Sequence, residues 1–147
     1  MVRIWKAFAQ STPTYGRLLR GGASWRTISS PAVDENPSHV HAVAAAAHAD
    51  DPEAFFVLLG HRNDFYEKYP DLDADLVLCG HAHGGVVRLP FLGGVIGHGE
   101  LFADNLAGIR RSGGYTLVIS RGLGNGGVPI PRLLNNPEIV VITLRRA

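Results

Sequence analysis

Residues 54–85 read AFFVLLGHRNDFYEKYPDLDADLVLCGHAHGG, and the two apolar runs in this stretch decide the fold. AFFVLLG (54–60) and the run inside ADLVLCG (74–80) are short, do not alternate with polar residues, and close on glycine. That is the pattern of strands buried on both faces. Between them RNDFYEKYPDL (62–72) predicts a short helix or turn, ended by Pro70. Two buried strands joined by a helical connection predict a parallel pair in an α/β layer. Both strands end in Gly-His, at Gly60-His61 and Gly80-His81. Functional sites of open α/β sheets gather beyond the carboxyl ends of the strands.

His81 and His83 lie two apart on a segment leaving a strand. On an extended backbone such residues point to the same side, so the two imidazoles are expected to converge. His61, at the end of the neighbouring strand, is expected to reach the same region. Three neutral imidazoles form a ligand set for first-row divalent metals. Gly80, Gly84 and Gly85 are expected to allow sharp backbone angles and the close approach of a ligand. Arg88, His98 and Arg121 are candidate substrate-facing groups in the Gly-rich region that follows.

Working outward, Ser38 is the expected N-cap of an alanine-rich helix, HVHAVAAAAHADD, broken by Pro52. His39, His41 and His48 on that helix are expected to face solvent. Residues 1–37 have no sustained period, and no partner for the downstream strands is evident in them. Beyond the histidines, GGYTLVIS (113–120) predicts a third strand and EIVVITLRR (138–146) a fourth, with a Gly- and Pro-studded loop between them. The segment GLGNGG (122–127) satisfies G-x-G-x-x-G. A dinucleotide site requires a helix to open there, and Pro129 and Pro131 oppose one.

The chain of 147 residues is 46% hydrophobic and 18% charged, which suits one globular domain rather than a disordered tail. A net charge of +1 gives no footprint for nucleic acid. The single cysteine, Cys79, excludes an internal disulfide and is expected to be buried packing. No apolar run approaches the roughly 18 residues of a spanning helix, and the sequence as given reads as soluble.

These motifs resemble the calcineurin-like metallophosphoesterases, in the bacterial branch of small phosphodiesterases with a GHTHGGQ signature, here GHAHGGV. RLPFLGG, LVISRGLGNGGVPIP and NNPEIVVITL are similar to the same branch, so the resemblance covers roughly residues 53 to 146. It divides the chain into a poorly matched segment, 1–52, and a C-terminal part, 53–147, of a metallophosphoesterase domain. The fold it implies is α/β: a sandwich of two sheets flanked by helices, here partial, with the family's N-terminal strands missing. The site it implies holds two divalent ions (zinc, manganese or iron), with His61 and His81 on one and His83 on the other. The implied reaction is hydrolysis of a phosphomonoester or phosphodiester. Some members of this branch carry an N-terminal membrane anchor or export signal.

The family's Asp-x-His, Gly-Asp and Gly-Asn-His-Asp motifs do not occur in residues 1–52. Without their carboxylates, neutral imidazoles alone face the mutual repulsion of two cations. No catalytic residue is therefore identified in the chain, and whether it hydrolyses an ester by itself is left open. A non-catalytic module holding one zinc remains open too. So does a subunit completed by a partner carrying the missing ligands. Absent strands would leave a sheet edge and apolar faces uncovered, so either residues 1–52 cover part of that surface or the chain associates with itself or with a complementing chain.

Overall fold

The computed structural model describes residues 2–3, 25–29, 37–50, 52–97, 100–112, 114–124 and 129–145. The elements run β1 (Val2–Arg3), β2 (Trp25–Ser29), α1 (Pro37–Asp50), β3 (Phe55–Leu59), α2 (Phe65–Lys68) and β4 (Leu76–Cys79). They continue with β5 (Arg88–Leu89), β6 (Gly93–Gly94), β7 (Ile96–Gly97), β8 (Glu100–Leu101), β9 (Gly108–Ser112), β10 (Tyr115–Ile119) and β11 (Thr143–Leu144). The architecture is mixed α/β around a five-stranded sheet of order β2-β3-β4-β10-β9.

The predicted parallel pair is present: β3 lies beside β4 with Val57 opposite Leu76 and Leu59 opposite Leu78. Asp75 helps set this register, because its carboxylate accepts a hydrogen bond from the Phe56 N–H at 2.7 Å. The third predicted strand, β10, extends the parallel set, with Leu117 opposite Val77 and Ile119 opposite Cys79.

The sheet buries both faces, as the unbroken apolar runs require. On one face Phe56, Leu58, Val77, Cys79, Leu117 and Ile119 form a continuous cluster with Val40 and Ala44 of α1 and Phe65 of α2. On the other, Val57, Leu76 and Val118 pack with Leu59, Leu78, Ile142 and Leu144. Cys79 is buried in the first cluster, as expected. Beside the second lies a groove of about 710 Å³, lined by residues that include Phe55, Ile109, Val140 and Ile142. None of the candidate site residues lines this groove.

Several elements differ from the sequence expectations. Residues 1–37 do supply a partner, since Trp25–Ser29 pairs in parallel with Phe55–Leu59 and forms an edge of the sheet. Helix α1 begins at Pro37, with Ser38 inside the first turn rather than capping it. Proline suits the first helical position because its fixed φ is helical and its missing N–H would have had no partner there. His41 is exposed as expected, but His48 is not simply solvated. Its Nδ1 lies 2.6 Å from Asp73 Oδ2, and its ring meets Phe56 edge-on at 5.6 Å. His39 is a residue whose side chain lies outside the description.

Strand β9, unforeseen, pairs antiparallel with β10. The expected fourth strand contracts to Thr143–Leu144, which pairs with Val2–Arg3 rather than with the main sheet. Among the described residues no helix is long and apolar enough to cross a membrane.

Candidate functional site

The carboxyl ends of β3, β4 and β10 are tied together by backbone hydrogen bonds that run past the strands. Gly60 N donates to Leu78 O at 2.9 Å, Gly80 N to His61 O at 3.2 Å, and Ser120 N to Cys79 O at 2.9 Å. The His61–Gly80 bond links the two Gly-His steps directly. It brings the imidazoles of His61 and His81 side by side, with ring centroids 4.4 Å apart and planes inclined by 58°. Both histidines are exposed, and His83 is half-buried.

The route to this arrangement is not the expected one. The chain after Gly80 is not extended: His81 and His83 have φ of 64° and 49°, followed by Gly84 at 71° and Gly85 at 84°. Ala82 N donates back to Gly80 O and Gly85 N to Ala82 O, each at 2.8 Å, so the segment is a left-handed coil of turns. Alternation of side chains therefore does not operate, and neighbouring strand ends, rather than i and i+2 spacing, pair His61 with His81.

The glycines also differ from their expected use. A Cβ on Gly84 would meet Arg121 Cγ at 2.6 Å and Asn135 Oδ1 at 2.8 Å. One on Gly85 would meet Gly94 Cα and Leu106 Cδ1, both at 2.7 Å. The space they leave is filled by the protein itself, and they let later segments close over the histidine turn. Gly80 carries no such demand, since a Cβ there would reach only Ser120 O at 3.4 Å.

Asn135, Arg132 and Glu138 build the far wall, and none was singled out from the sequence. Asn135 is 2% exposed, and its Nδ2 donates to His83 O at 2.7 Å and to Val86 O at 3.1 Å. Arg132 Nη2 approaches His83 Nδ1 at 3.3 Å and donates to Arg121 O at 2.6 Å, while Nε donates to Gly124 O at 2.9 Å. A guanidinium has no acceptor, so His83 Nδ1 must be the acceptor in that contact. Burial, then the Arg132 cation and the His61 ring hold His83 below the ordinary imidazole range, against a raising hydrogen bond with the Gly124 backbone. His83 is thus kept neutral near pH 7. The only trace of this wall in the sequence is the set of polar residues Arg132, Asn135, Asn136 and Glu138 in a short Pro-flanked run after Pro131.

The other candidates are placed as follows. Arg88 Nη1 donates to Gly84 O at 2.9 Å. Arg121 is paired with Glu138 through its backbone N at 3.0 Å and its Nη2 at 3.1 Å. Both guanidinium groups are thus engaged by the protein. His98 lies outside the described residues.

As a metal centre the fit is partial. The adjacent rings of His61 and His81 suit two imidazole donors to one ion. Among the described residues, however, no group of three or more His, Cys, Asp or Glu side chains is disposed to hold a metal. His83 has an arginine cation at its Nδ1. Among the described residues, no two-ion shell is formed.

Three curated proteins share sequence with the chain. An uncharacterized metallophosphoesterase, YkuE of Bacillus subtilis (strain 168), is 38% identical over 93 residues, 62% of this chain and 31% of that protein. An uncharacterized metallophosphoesterase of Aquifex aeolicus (strain VF5) is 36% identical over 99 residues, 65% of this chain and 34% of that protein. The phosphodiesterase YaeI of Escherichia coli (strain K12) is 34% identical over 94 residues, 60% of this chain and 32% of that protein. The chain thus spans about a third of the length of the curated relatives it matches. No family model matches it. No solved structure matches it either. The Gly-His strand ends, GHAHGG and RGLGNGG all fall in the C-terminal part, and that part is similar to a portion of these metallophosphoesterases.

Proposed function

We propose that the chain supplies the imidazole side of a metal-dependent phosphoester hydrolase site. The observation that carries this reading is the pairing of His61 and His81 at adjacent parallel strand ends, with rings 4.4 Å apart. Two imidazoles fixed by one backbone ladder are preorganised for a single divalent ion, and a neutral ring is the form that binds metal. When bound, such an ion supplies Lewis-acid polarisation of a phosphoryl oxygen and a water of lowered pKa.

The protein's own contribution is positional. The Gly80–His61 hydrogen bond fixes the two rings relative to each other. Asn135 fixes the turn that carries His83, and burial beside Arg132 keeps His83 unprotonated. The carboxylates that would complete a two-ion site are assigned to residues outside those described or to a complementing chain. The outer side of β2, which pairs only with β3 among the described strands, is where such a chain would add strands. The names of the relatives favour a phosphodiester or phosphomonoester as the substrate class.

The test is metal uptake measured together with hydrolysis. Purified protein is dialysed against zinc or manganese, analysed for metal content, and assayed with bis(4-nitrophenyl) phosphate and 4-nitrophenyl phosphate. Metal that is bound by the wild type and lost in His61→Ala and His81→Ala, accompanied by turnover, supports the reading. One zinc per chain without turnover would instead favour the non-catalytic module. No uptake at all would end the metal reading.

A further inference from the structure

We infer that Arg132 is an anion-binding residue, whose free Nη1 edge, next to His83, takes one oxygen or more of a phosphate group. The inference rests on the phosphoester reading only for the identity of the anion. The geometry stands by itself.

The guanidinium is clamped on one side alone. Its Nε and Nη2 both donate to Gly124 O, and Nη2 also reaches Arg121 O and His83 Nδ1. Nη1 is shielded from solvent and has no hydrogen-bond partner among the described residues. A guanidinium stays charged and carries two N–H groups on that nitrogen. Leaving them unpaired and away from water is the costly arrangement that native proteins avoid unless a ligand completes it.

Among the described residues, no carboxylate is paired with Arg132. The neighbouring carboxylate, Glu138, has both oxygens taken by Arg121, one by its backbone N–H and one by Nη2. Arg88 and Arg121 each give a guanidinium nitrogen to the protein, whereas Arg132 holds an Nη1 that is shielded from water and unpartnered among the described residues. Its position beside His83 sets the ligand at the carboxyl end of β4. Charged planar donors of this kind suit phosphate and carboxylate oxygens.

The experiment uses the full chain with a chelator present, so that metal plays no part, and inorganic phosphate as the probe. Wild-type protein is titrated while the Arg132 Nε–H resonance is followed by NMR, and affinity is measured in parallel by calorimetry. The expected result is a saturable shift of that resonance. Arg132→Gln should weaken phosphate binding by at least about tenfold. Arg110→Gln, on the exposed edge strand, should leave binding unchanged.

The proposal is overturned if the resonance does not move up to about 10 mM phosphate, a concentration at which a useful site would be saturated. It is equally overturned if folded Arg132→Gln binds as the wild type does. Should Arg132→Gln fail to fold, the wild-type resonance alone decides. Phosphate bound at Arg132 by a chain that takes up no metal and hydrolyses nothing would sink the hydrolase reading and leave this one standing. Turnover with an unmoved Arg132 signal would do the reverse.

Discussion

Asn135 holds the histidine turn from 52 positions away, its Nδ2 donating to the carbonyl of His83 at 2.7 Å. The same nitrogen donates to Val86 O at 3.1 Å, so one buried amide pins both ends of the turn. Asn135→Ala removes two hydrogen bonds and takes from His83 O its donor, while Val86 O still accepts from Leu133 N at 3.3 Å. The expected loss is about 1–3 kcal/mol, read as a lower midpoint in urea with an unchanged slope. Asn135→Asp should cost more, because a carboxylate facing two carbonyl oxygens has no donor to offer. A change below about 0.5 kcal/mol in Asn135→Ala would show that the turn holds itself.

Gly84 and Gly80 offer a contrast within one short segment. At Gly84 a methyl group meets Arg121 and Asn135 below 3.0 Å, on a backbone at φ 71°. Gly84→Ala should therefore destabilise by about 2–4 kcal/mol, from left-handed strain and overpacking together. At Gly80 the nearest atom is 3.4 Å away and φ is not positive, so Gly80→Ala should cost less than about 1 kcal/mol. Thermal melts of the two variants check this, and equal losses would contradict the packing described for Gly84.

Glu138 gives the fold a dependence on acid. Burial alone would raise its carboxyl, but the hydrogen bonds and charge of Arg121 outweigh burial and hold it below its ordinary 4.5. A depressed folded-state pKa means that the carboxylate stabilises the protein above the unfolded value and ceases to do so as pH falls through the folded one. The melting temperatures of wild type and Glu138→Gln should thus differ most near pH 7 and converge as pH drops below about 4. A gap that does not narrow at all as pH falls below the ordinary carboxylate range would show that the role of Glu138 is not electrostatic.

His48 and Asp73 join α1 to the loop before β4, but Asp73 is 71% exposed at the side chain. A contact so open to water is worth about 0.2–1 kcal/mol. Asp73→Asn should change stability by no more than that, and the effect should shrink in high salt. His48→Ala should cost more, because it also removes the ring from the edge of Phe56.

The core strands were legible because nothing interrupts them. FFVLL, LVLC and YTLVI are apolar runs with turn residues close at either end, and burial on both faces demands such runs. Strand β9 was not, since Ile109 is followed by Arg110 and Arg111, and an edge strand exposed to water needs no apolar pattern. Its signal in the sequence was the Gly-Gly dipeptide before the YTLVI run, a pattern that favours hairpins. EIVVITLRR misled in the opposite sense: its residues are apolar, yet Ile139 and Val141 stay exposed and only Thr143–Leu144 pairs.

For the site, the Gly-His strand ends pointed to His61 and His81, whose rings lie side by side. The turn that follows them was hidden, because its left-handed φ values fall on His81, His83 and Val86 as well as on glycines. Arg132, Asn135 and Glu138 were hidden for another reason. Their roles come from contacts with residues up to 52 positions away or with a different loop, and no local pattern encodes such contacts.

The strand order has a kinetic consequence. Strand β10 lies between β4 and β9, but its two neighbours are reached on different scales of chain length. Tyr115 faces Ser112 across a tight hairpin, whereas Thr116 faces Leu76, which lies forty positions earlier. Local pairs close fast and long loops close late. We expect the β9–β10 hairpin and the β3–α2–β4 unit to form separately and to dock in a later, rate-limiting step that seals the sheet at its centre. In pulsed hydrogen exchange the amides bonded between β4 and β10 should then gain protection after those bonded between β9 and β10, and simultaneous protection would rule this order out.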